Sequence, residues 1–165
     1  MKSKTQIIII MGVAGCGKST IGSMLAHELG WDFYDADDFH SKSNRIKMAK
    51  NIPLTDEDRA GWLDSLRSLI GQNIQLEKSI VLACSALKKS YRDILMINEQ
   101  AKFIYLRGTY AQIEARLLQR SGHFMSAKML ASQFDILEEP QDALTIDITH
   151  TPQEIISIIR KGLAL

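Results

Sequence analysis

The chain has 165 residues, 45% of them hydrophobic, with 20 basic and 19 acidic side chains and a formal net charge of +1. That length suits one domain, 1–165, and the near-neutral balance excludes bulk electrostatic binding to nucleic acid or an anionic membrane, leaving room for a local basic cluster around a small anion. No apolar run approaches the ~20 residues of a membrane span, the run after "MKSKTQ" is too short for a signal core, and Cys16 and Cys84 form neither a disulfide framework nor a zinc spacing, which suits a reducing cytoplasm.

The first element expected is a strand, "QIIIIM" (6–11), continuous in apolar residues as strands covered on both faces are. It runs into "GVAGCGKST", where Gly12, Gly15, Gly17, Lys18 and Ser19 fit G-x-x-x-x-G-K-[ST]. Glycines there let backbone N–H groups turn around phosphate oxygens, the next helix adds its positive N-terminus, Lys18 reaches the β- and γ-phosphates, and the Ser19 hydroxyl can ligate Mg²⁺. Gly12, Gly15, Cys16, Gly17, Lys18, Ser19 and Thr20 are therefore expected to bind nucleotide, with Cys16 a small filler in the loop. The helix 18–29 puts Ile21, Leu25 and Leu29 on one face.

A second strand, "DFYDA" (32–36), ends in "DADDFH". In an open α/β sheet that edge is where ligands sit. Asp35 and Asp37 share one side of an extended backbone; one could hold Mg²⁺ through water and the other accept the proton of a substrate hydroxyl. His40 reads either as a loop hydrogen-bonder or as a substrate contact. Residues 37–54 read as a long polar connection. Thr55 caps the next helix, with Asp58 three residues on and Trp62, Leu66, Leu69 and Ile70 on its core face.

The third strand, "SIVLAC" (79–84), leads into "CSALKKSYR" and a helix over 88–97. Lys88 and Arg92, four apart, would share a helical face; cations at a helix N-terminus oppose its dipole, which favours a pocket for a carboxylate or phosphate. A fourth strand, "KFIYL" (102–106), precedes a helix 109–119 capped by Thr109 and Gln112. Arg116 and Arg120 lie one turn apart at its end, and Arg120 opens the irregular stretch "RSGHFMS" (120–126), where an arginine could fold over a transferring phosphoryl group. A helix over 126–137 stops near Pro140, a fifth strand, "LTIDI" (144–148), follows, and Thr151-Pro152-Gln153-Glu154 starts the last helix with a cap, a proline and an acid. Strands alternating with helices predict an α/β parallel sheet covered on both faces. The guanine motif N-K-x-D is absent, as is a strand ending in a D-E pair. A small-molecule phosphotransferase using ATP and Mg²⁺ fits best.

The phosphate loop, "DADDFH", "NRIKMAKNIPLTDEDRAGWL", "CSALKKSYR", "FIYLRG", "RSGHF" and "QFDILEEP" together resemble the gluconokinase family, from Ile7 to about Ile148. The resemblance implies a P-loop NTPase three-layer sandwich, its five-stranded parallel sheet in the order 2-3-1-4-5, with a substrate segment at 37–75 and a mobile lid at 120–130. It implies ATP-dependent phosphorylation of D-gluconate at the 6-hydroxyl. Roles carried over put Lys18, Asp37 and Arg120 in catalysis, Ser19 and Asp37 on Mg²⁺, and Arg116 near adenine. Asp37, His40, Arg45, Arg59, Lys88, Arg92, His123 and Gln133 would meet the sugar acid, Arg59 through its carboxylate. The chain departs from the family where Ser41 replaces a proline, Asn51 a glycine and Gly61 a proline. A kinase for another small acid, shikimate-like, and a non-catalytic nucleotide-binding regulator are the alternatives. Family analogy adds a homodimer.

Overall fold

A computed structural model describes residues 4–120 and 127–165. Strands β1 (Ile7–Met11), β2 (Asp32–Asp35), β3 (Ile80–Ala83), β4 (Ala101–Arg107) and β5 (Leu144–Asp147) alternate with helices α1 (Lys18–Leu29), α2 (Lys42–Ala49), α3 (Asp56–Gln75), α4 (Lys89–Leu95), α5 (Tyr110–Gln119), α6 (Ala127–Ile136) and α7 (Pro152–Leu163). The strands form a five-stranded sheet in the order β2-β3-β1-β4-β5, all pairs parallel. The parallel direction is that expected from the alternation of strands and helices, and the order is that implied by the family resemblance.

The isoleucine run is the middle of this sheet. Ile10 pairs with Ala83 on one side and Ile104 on the other, and all five β1 side chains have no exposed surface. They divide with the period of two of a strand. Ile8 and Ile10 pack with Ile21 and Leu25 of α1 and Ile155 and Ile159 of α7. Ile7, Ile9 and Met11 pack with Leu66 and Ile70 of α3 and Tyr91 and Leu95 of α4. Full burial of each such side chain is worth ~1.5–3 kcal/mol, so β1 is a firm anchor for the loop that follows it.

The capping residues act as read. Thr55, Thr109 and Thr151 each accept from the backbone three residues on, at Asp58, Gln112 and Glu154, whose side chains accept from the cap in return. Residues 37–54, expected to be a long loop, instead hold a short 3-10 turn (Ala36–Phe39) and α2. Ser41 caps α2 by accepting from the Asn44 amide. Asn51 occupies the left-handed region at φ 57°, where asparagine is among the few tolerant residues. No helix among the described residues is long and apolar enough to cross a membrane.

Candidate active site

The carboxyl ends of β1, β2 and β3 open into one cleft of about 480 Å³, within the ~300–1,000 Å³ of ligand pockets generally. Its floor is the phosphate loop. Gly12 has φ 147°, and a Cβ there would stand 2.6 Å from Cys16 Sγ and 2.8 Å from the Leu106 carbonyl. Cys16, 1% exposed, fills the space beneath the turn. Gly17 takes the left-handed conformation that starts α1, with no side chain capping the helix, so the N-terminal amides of α1 are left for an anion. Lys18 Nζ rests on the Val13 carbonyl at 3.0 Å. Gln133 of α6 reaches the same loop: its Oε1 accepts from the Ala14 amide at 2.7 Å.

The acid wall comes from the end of β2. Ser19 Oγ donates to Asp35 Oδ2 at 2.6 Å, and Asp35 Oδ1 accepts from the Asp37 amide at 3.0 Å. Of the two carboxylates left open by the sequence, Asp35 is thus the one against the phosphate-loop hydroxyl. Asp37 projects into the cleft mouth beyond it, 82% of its side chain reachable by solvent. The enclosing walls and the Asp35 charge raise its pKa, with Lys18 pulling the other way. His40 is buried, stacked on Trp62 at 4.4 Å between ring centroids, with Nε2 3.9 Å from Asp37 Oδ1. Asn44 Nδ2 lies 3.5 Å from its Nδ1. Burial, with Arg59 and Arg45 nearby, pushes His40 down to about 4, so it is neutral at pH 7.

Arg59 lines the opposite wall with Trp62. Its Nη1 donates to the Leu54 carbonyl at 2.6 Å and to Tyr91 Oη at 3.3 Å. Its Nε and Nη2 groups make no hydrogen bond to the described residues. Arg120, exposed at the end of α5, lines the cleft near the phosphate loop.

Other expected residues stand elsewhere. Arg92 does not share a pocket face with Lys88. It is buried, and its guanidinium donates to the carbonyls of Ala86, Leu87 and Glu138. It thereby pins the turn in which Ala86 holds φ 45°, a strained value for a residue with a Cβ. Lys88 stands just before α4 rather than within it, with no side-chain bond to the helix, and its Nζ binds Asp56 at 2.9 and 3.1 Å. Arg45 holds the carbonyls of His40 and Asp38, bracing the acid turn from outside the cleft lining. Arg116 donates to the Ile148 carbonyl at 2.6 Å and to the Cys16 carbonyl at 3.5 Å, beside the phosphate loop. His123 and most of the expected lid lie outside the described residues. Trp62, read as core, is both core and cleft wall; its place three residues from Arg59 on one helix carried that signal. The Cys84 thiol, fully buried, is pushed up to about 12.

The profile of the shikimate kinase family matches residues 14–157. The chain is 49% identical to the probable gluconokinase of Rattus norvegicus, covering 95% of this chain and 97% of that one. It is 41% identical to the thermoresistant gluconokinase of Escherichia coli strain K12, with 94% of each covered. The solved structure of a gluconokinase from Sinorhizobium meliloti 1021 superposes with a TM-score of 0.86 at 36% identity, covering 96% of this chain and 91% of that one.

Proposed function

The chain belongs to the shikimate kinase family and, within it, to the gluconokinases, and from that premise we propose that it transfers the γ-phosphoryl group of ATP to the 6-hydroxyl of D-gluconate, giving ADP and 6-phospho-D-gluconate. The observation that carries the reading is the continuity of the cleft: the phosphate loop, Asp37 and Arg59 line the same space. Lys18 and the α1 amides hold the triphosphate. Asp37 accepts the proton of the 6-hydroxyl as its oxygen attacks phosphorus, a role suited to a carboxylate whose pKa is raised. Arg59 takes the carboxylate at the far end of the substrate through charge-assisted hydrogen bonds. Arg120 supports the charge on the transferring group. Segment 37–75 serves the acid.

The oxygens around Ser19 and Asp35 suit Mg²⁺, which prefers hard oxygen donors and keeps several waters. Among the described residues no cluster of three His, Cys, Asp or Glu could hold a metal ion. Ser19 would ligate it, with Asp35 and Asp37 holding its waters; when bound, it neutralises charge on the β- and γ-phosphates. The same reading makes the protein a cytoplasmic homodimer, checked by light scattering against the chain mass of 18.5 kDa. The test of activity is a panel of D-gluconate, D-glucose, shikimate and other aldonates, with ATP and Mg²⁺, read by ADP release and ³¹P spectra. Turnover with gluconate and a phosphate ester at C6 are expected. Turnover of shikimate instead, or nucleotide binding without turnover of any acid, overturns the reading.

A further inference from the structure

Tyr91 lies outside the lining of the cleft, buried at 4% exposure, yet it touches the arginine that faces the substrate. Its hydroxyl accepts from Arg59 Nη1 at 3.3 Å and donates to Asp56 Oδ1. Asp56 is held in turn by Lys88 Nζ. Both cations also stand over the Tyr91 ring, Arg59 at 5.5 Å and Lys88 at 5.6 Å from its centroid. The order of groups is guanidinium, phenol, carboxylate, ammonium. A hydroxyl has one proton, so donating it to Asp56 turns its lone pairs toward Arg59. Each link polarises the next.

We propose that Tyr91 is the positioning residue of the acid-binding site: its hydroxyl, oriented by the Asp56–Lys88 pair, fixes Nη1 of Arg59 so that Nε and Nη2 meet the substrate carboxylate as a preset fork. The Leu54 carbonyl supplies the second anchor on Nη1. Arginine has a rotamer-rich side chain, and immobilising one on binding opposes affinity; holding it beforehand removes that opposition. The arrangement also assigns Lys88 a place one step removed from substrate. Burial and the Asp56 hydrogen bond raise the Tyr91 pKa, so the phenol keeps the proton that gives the chain its direction.

This inference rests on the reading of Arg59 as the carboxylate anchor, and the experiment separates the two. Steady-state constants and Tm are measured for the parent, Tyr91→Phe, Asp56→Asn, Arg59→Ala and the Tyr91→Phe/Arg59→Ala double variant. Phenylalanine keeps the ring and its packing. Tyr91→Phe is expected to raise KM for gluconate by about 3- to 10-fold, the scale of one lost hydrogen bond, with kcat and KM for ATP within twofold. Asp56→Asn, at a largely exposed side chain, should move gluconate KM in the same direction by less. In the Arg59→Ala background the tyrosine change should add nothing, because the group it positions is gone. An unchanged gluconate KM in Tyr91→Phe, or an additive effect in the double variant, overturns the positioning role while Arg59 keeps its own. An unchanged gluconate KM in Arg59→Ala removes the carboxylate anchor, and the inference with it.

Discussion

Two neighbours in one turn, Asp37 and His40, face each other at 3.9 Å and have opposite acid–base characters. Asp37→Asn keeps the size and a hydrogen bond to the hydroxyl but cannot take its proton, so kcat should fall by roughly 10²–10⁴ with gluconate KM nearly unchanged, the mark of an interaction made in the transition state. Activity in the parent should decline on acidification through a pKa above the ordinary aspartate value of ~3.9, and the variant should lack that limb; near-parental kcat would move the base to another group. His40 instead bears on stability. Its pKa is about 4 in the folded chain against 6.5 for the free side chain, so the unfolded chain binds the extra proton between those values and acid favours unfolding. The parent Tm should therefore drop as pH falls from about 6.5 toward 4, and His40→Gln should flatten that slope; equal slopes would mean that the imidazole is not held neutral. What the sequence left unread at this scale is distant partnership. Lys88 and Arg92 have the spacing of a helical pair, but the carboxylate that holds Lys88 is 32 residues away, and one carbonyl that holds Arg92 is 46 residues away. No local pattern contains either.

The elements were legible wherever they carry an apolar rhythm or a cap. β1 is a continuous buried run because it lies between β3 and β4 and is covered on both faces. The starts of α3, α5 and α7 are written in threonines with an acceptor three residues on. Helix α2 was not legible, because the residue it buries is Asn44. That side chain donates to the Asp58 carbonyl at 2.8 Å, so polar satisfaction does what an apolar stripe does elsewhere. The joint between β1 and α1 makes its own prediction. Its shape is fixed by buried strand, glycine conformation and Cys16, to which the Lys18 ammonium adds a single hydrogen bond, to the Val13 carbonyl. Lys18→Met should leave Tm within a few degrees of the parent and lower kcat by on the order of 10²–10³, the usual effect of losing an electrostatic clamp on a transition state. Near-normal turnover in that variant would contradict the reading of the phosphate loop.

At the scale of the molecule, the sheet order divides the work. β1 sits centrally and carries the phosphate loop, with β4, α5 and α6 to one side and β2, β3 and α3 to the other. The side proposed for the nucleotide is held together by Gln133 on Ala14 and Arg116 on Cys16; the side proposed for the acid by Trp62 Nε1 on the Ala36 carbonyl and Arg59 on Leu54 and Tyr91. The reactants are therefore expected to meet across Asp37 while being gripped by separate groups of side chains. Separate grips predict separable affinities. Arg59→Ala removes a half-buried cation that bonds the Leu54 carbonyl and meets Tyr91 through its hydroxyl and ring, neither of them a buried anion left uncompensated, so the fold should survive with at most a modest loss in Tm. Gluconate binding, measured by calorimetry with a non-hydrolysable ATP analogue present, should weaken by about 10- to 100-fold, the range for hydrogen bonds to a charged group. The analogue itself should bind within twofold of the parent. A variant that loses nucleotide and acid affinity together would mean that Arg59 supports the whole cleft rather than one end of the acid, and the division of the site into two grips would be wrong.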